Sequence, residues 1–75
     1  MNSNEREYFE NMISYKPGKI KKVYPNSRQE IYYVSAQIRN TAKDVLSGER
    51  LPNKAKKEIS NLLENINKLK KEKIK

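Results

Sequence analysis

The chain contains no cysteine, no histidine and no tryptophan, and only one phenylalanine and two glycines. Most of these absences remove a class of function. Without cysteine there is no disulfide to staple a small fold and no thiolate nucleophile. Without histidine there is no side chain whose ordinary pKa places a general base near neutrality. With both gone, a structural zinc site loses its usual ligands. The two glycines, Gly18 and Gly48, stand far apart, so there is no glycine-rich phosphate loop. Glu5, Glu7 and Glu10 are the nearest thing to a carboxylate cluster, and they read as solvated charge in the early turns of a helix. The expectation is a protein with no catalytic residues, no cofactor and no metal, and not an enzyme.

Long apolar runs are missing too. No stretch approaches the ~20 apolar residues that span a bilayer. The first ten residues are polar and acidic rather than a signal sequence. A cytoplasmic protein with no membrane partner is expected. Apolar residues make up 35% of the chain, below the ~45–50% usual for globular domains. Leu, Ile, Val and Phe together number 16 of 75, close to the ~20% line below which charged chains stay disordered. The core must therefore be thin, and a homodimer or a docked partner is one route to extra support.

What is abundant is positive charge. Lys+Arg is 17 against 9 for Asp+Glu, giving +8 over 75 residues. The charge is unevenly spread: net −2 over residues 1–15, +4 over 16–22, +1 over 23–46 and +5 over 47–75. Lys, Asn and Ile account for 29 residues. That bias fits an AT-rich genome, such as a low-GC bacterium, its phages or its mobile elements.

Periodicity points to an all-α fold in one small domain, residues 1–75. Tyr8, Phe9, Met12 and Ile13 form a stripe on a helix over about 4–15, closed by Pro17-Gly18. Ser27 and Glu30 fit a capping box opening a helix over about 27–47. Ile31, Val34, Ile38 and Val45 share one face of it, and Gly48 stands where a left-handed C-cap is wanted. A competing α+β reading makes a small hairpin of about 19–34, turning at Pro25-Asn26. A third helix over about 53–72 has Asn53 as cap, with Ala55, Ile59, Leu62, Ile66 and Leu69 at helical spacing. Its stripe repeats over two heptads, so it suits either a core or a coiled-coil seam. Residues 70–75 read as a frayed basic tail. The preferred architecture is three helices, a short first one packed on an antiparallel αα-hairpin.

Two basic clusters are the candidate nucleic-acid contacts. One is the loop Lys16, Lys19, Lys21 and Lys22, flanked by Tyr15 and Tyr24. Lysines there would neutralise phosphates with counterion release, and the tyrosines would stack on bases. The other is Arg50, Lys54, Lys56 and Lys57 at the start of the third helix, where free backbone N–H groups attract anions. A helix-turn-helix fits poorly, because the connection contains Leu51-Pro52 and the helices are long. The leading expectation is a small regulatory protein of transcription or replication that binds DNA or RNA through lysine–phosphate contacts. The alternative is an adaptor or inhibitor docking on an acidic protein surface, anchored by Tyr32, Tyr33 and Leu63.

Overall fold

The computed structural model describes residues 1–73; Ile74 and Lys75, the end of the expected basic tail, lie outside the described residues. Three helices follow one another: α1 over Ser3–Met12, α2 over Pro25–Leu46 and α3 over Pro52–Lys70. α2 and α3 form the hairpin and α1 packs on α2. The fold is the expected all-α one. Gln29–Val34 lies inside α2, so no hairpin forms over 19–34. The β-tolerant run Ile31-Tyr32-Tyr33-Val34 is helical because Ile31 and Val34 reach the α3 side only at helical spacing.

The helix starts differ from expectation, for one reason. Proline occupies the first helical position of both α2 (Pro25) and α3 (Pro52). Its fixed φ suits that position and its missing N–H is no loss there. Tyr24 and Leu51 are therefore the N-cap residues, with no capping side chain. Ser27 and Asn53, expected as caps, sit inside the first turns. The side-chain cap that does form is on α1, where Asn2 Oδ1 accepts from the Glu5 N–H at 2.8 Å.

The ends follow the sequence more closely. Gly48 has φ +84°, a conformation that L side chains rarely adopt. Its N–H bonds the Val45 carbonyl at 3.1 Å and the Glu49 N–H bonds the Asp44 carbonyl at 2.8 Å. This is a Schellman motif, and it reverses the chain into α3. α1 stops at Met12, short of Pro17-Gly18, and unwinds through single-turn bonds from Ser14 to Asn11 and Tyr15 to Met12.

The core is one thin layer. Ile31, Val34, Ile38, Ala42 and Val45 of α2 meet Ala55, Ile59 and Ile66 of α3. Phe9 of α1 is fully buried, with Tyr8 set edge-on at 5.1 Å. Ile20 and Val23 close the other end. Leu62, Leu63 and Leu69 pack half-buried around this layer. The α3 stripe is thus filled by α2 of the same chain rather than left as a seam. Buried Ser35 satisfies its hydroxyl on the Ile31 carbonyl at 2.7 Å. Burial of Tyr8 and Tyr15 pushes both phenols above the ordinary tyrosine pKa.

A core this small leaves little tolerance. Ile38 is fully buried midway along α2. Ile38→Ala should destabilise by about 2–5 kcal/mol, against a total near 4–11 kcal/mol for a chain of this length. Urea unfolding followed by circular dichroism should show a large drop in midpoint, whereas Ile38→Val should cost about 1 kcal/mol.

Candidate anion-binding surface

The segment between α1 and α2 runs over the hydrophobic layer and is tied down at both ends by arginines of α2. Arg39 Nη1 donates to the Tyr15 carbonyl at 3.0 Å, and Arg28 Nη2 donates to the Val23 carbonyl at 3.3 Å. Ile20 and Val23 are drawn inward as core residues. Between and beside these two inward residues, Lys19, Lys21 and Lys22 are all exposed. Lys16 is exposed at the start of the same segment. Gly18, at φ +80°, bends the segment. The Lys70 ammonium lies over it, 3.8 Å from where a β-carbon on Gly18 would stand.

Lys70 ends α3, and with Lys71 and Lys73 of the expected frayed tail it takes part in a larger group. Lys19, Lys21 and Lys22 share one open depression of ≈ 580 Å³ with Lys70, Lys71 and Lys73, floored by Ile20 and Val23. Six lysines from two distant parts of the sequence thus line a single concavity. Among the described residues none of the six lies within 4.0 Å of a carboxylate. Glu72, between Lys71 and Lys73, offsets one of these charges; the rest of their mutual repulsion is relieved by water, salt or a bound anion. The signal available in the sequence was the +5 charge of residues 47–75; what hid the grouping was the return of the chain end to the start of α2.

The second expected cluster lies at the opposite end of the hairpin. α3 has 19 residues, so the two ends stand about 28 Å apart at 1.5 Å per residue. The clusters do not share a face. Half of the second one is already engaged. Arg50 reaches Glu58 at 2.6 Å and Asp44 at 3.3 Å, bracing the α2–α3 turn. Lys56 Nζ stands 4.0 Å from Glu5 and 5.9 Å from the centre of the Tyr8 ring, a modest contact between α3 and α1. Lys54 and Lys57 are exposed, and among the described residues neither is in an ion pair.

The expected protein-contact residues are split as well. Tyr32 and Tyr33 are 55% and 61% exposed. They project from the outer part of α2, where Gln29, Glu30 and Asn40 are also exposed. Leu63 is half-buried against the core. Of the tyrosines flanking the basic loop, Tyr15 packs on the core and Tyr24 is 47% exposed. Among the described residues no helix is long and apolar enough to cross a membrane.

Arg50→Gln removes two ion pairs that are more than one-third exposed, so screening keeps their value small. The expected loss of stability is about 1 kcal/mol or less at low salt, shrinking toward zero near 1 M salt, as read from paired urea titrations. The chain matches no protein-family model, no curated protein and no solved structure.

Proposed function

We propose that this protein is a small nucleic-acid-binding regulator that grips phosphates with the lysine-lined end of its helical hairpin. The observation that carries this reading is the convergence of Lys19, Lys21 and Lys22 with Lys70, Lys71 and Lys73 around one depression. Concentrated like charge without paired carboxylates is the electrostatic footprint of a surface that meets a polyanion. Lysine suits this role as a point charge on a flexible stem, which favours backbone contact over base reading. Lys16 extends the same surface along the loop. Arg50 and Lys56 contribute less to it, because their charges already serve the turn and the α1–α3 contact.

A second reading is favoured by the exposure of Tyr32 and Tyr33. In it the protein docks on an acidic partner, with the two rings as anchors and the lysines as steering charge. The polar surroundings of both rings place it behind the first. No catalytic step is proposed.

Fluorescence anisotropy with labelled duplex and single-stranded oligonucleotides tests the main reading. Engagement of four of the six lysines gives a log–log salt slope near −4 on duplex and near −3 on single strands, so duplex affinity should fall roughly 10²-fold between 50 and 200 mM salt. The triple change Lys19→Glu, Lys21→Glu, Lys22→Glu should abolish binding, while Lys54→Glu with Lys57→Glu should leave most of it. Absence of binding at 50 mM salt, or equal loss in the two variants, would overturn the assignment of this end.

A further inference from the structure

Lysines do not gather unaided, and what brings these together is visible at the start of α2. That helix opens without a capping side chain and without an acidic residue in its first turn. Its N-terminal partial charge is met instead from 45 positions away. The Ser27 hydroxyl donates to Glu72 Oε2 at 2.6 Å. The Tyr24 N–H, just before the helix, donates to the Glu72 carbonyl at 3.3 Å, and Val23 pairs with Lys73 in a single antiparallel bridge. Glu72 is also the only acidic residue in the basic stretch 68–73. Its side chain and its backbone both bind the start of α2, with lysines immediately before and after it.

Building on the anion-binding reading above, we propose that Glu72 is the positioning residue of the lysine surface. Its bond to Ser27 clips the end of α3 against the loop, and so makes one six-lysine site of two separate runs of three. The acid contributes by placing cations. It acts against its own charge, since removing it raises the net charge from +8 to +9.

That opposition supplies the test. Charge counting predicts that Glu72→Ala binds an oligonucleotide more tightly. The clip predicts weaker binding, with the salt slope cut by about a third because Lys71 and Lys73, beyond the end of α3, lose their alignment. Ser27→Ala, which leaves the charge at +8, should do the same. The double variant should be no worse than either single one, as expected for two residues acting through one contact. Amide exchange at Tyr24, measured by NMR without any ligand, should accelerate about tenfold or more in all three variants, while the exchange of core amides in α2 stays near wild type. Tighter binding by Glu72→Ala with an undiminished slope would overturn the proposal, as would unchanged exchange at Tyr24. If the wild-type protein binds no oligonucleotide, the nucleic-acid reading fails. Exchange at Tyr24 then decides the clip alone: faster in the variants upholds it, unchanged removes it.

Discussion

Everything in this molecule depends on the seam between α2 and α3. Ile31, Val34, Ile38, Ala42 and Val45 on one side and Ala55, Ile59 and Ile66 on the other are the bulk of its fully buried apolar surface. At about 25 cal/mol per Å² of apolar area, a layer this thin only narrowly outweighs the conformational entropy of ordering the chain. The remaining structure is arranged to lengthen and seal that seam. Phe9 covers it from the side, and Ile20 and Val23 close the end where α2 begins and α3 finishes. Because the interior is saturated with aliphatic side chains, the charges have only the rim and the two ends to occupy.

The ends are not equivalent. At the turn between α2 and α3, two of the four clustered cations are matched by carboxylates, Arg50 by Asp44 and Glu58 and Lys56 by Glu5, and Glu49 offsets a third charge. Those pairs stabilise modestly and leave little field. At the other end, six lysines face one depression and the nearby acid, Glu72, is bound to Ser27. One end is therefore close to neutral and the other strongly positive, although both read as basic clusters along the sequence. Net charge alone does not locate a binding surface; the distribution of carboxylates does.

The three helices were legible because each has an apolar stripe at helical spacing, and Gly48 also marks the end of α2 plainly. Their starts were not. Ser27 and Asn53 are good capping residues, but a proline one or two positions earlier already satisfies the first turn. The lysines of residues 16–22 were legible as a surface because Ile20 alone in that run is apolar. The partnership with Lys70, Lys71 and Lys73 was not, because it depends on a contact 45 residues apart between Ser27 and Glu72. No local pattern encodes such a contact. Likewise no local pattern marks Arg28 and Arg39, which both hold loop carbonyls. An arginine on a half-buried face can pack its stem and donate its fork to backbone carbonyls.

The central claim is that the fold makes a single anion-binding end from the inter-helix loop and the end of α3. The most direct measurement is backbone amide chemical-shift mapping during titration with a short single-stranded oligonucleotide at low salt. The account predicts saturable shifts concentrated in residues 19–24 and 70–73, with little change from Gly48 to Lys57. Shifts centred on the start of α3, or on Tyr32 and Tyr33, would contradict it and move the functional surface elsewhere on the hairpin.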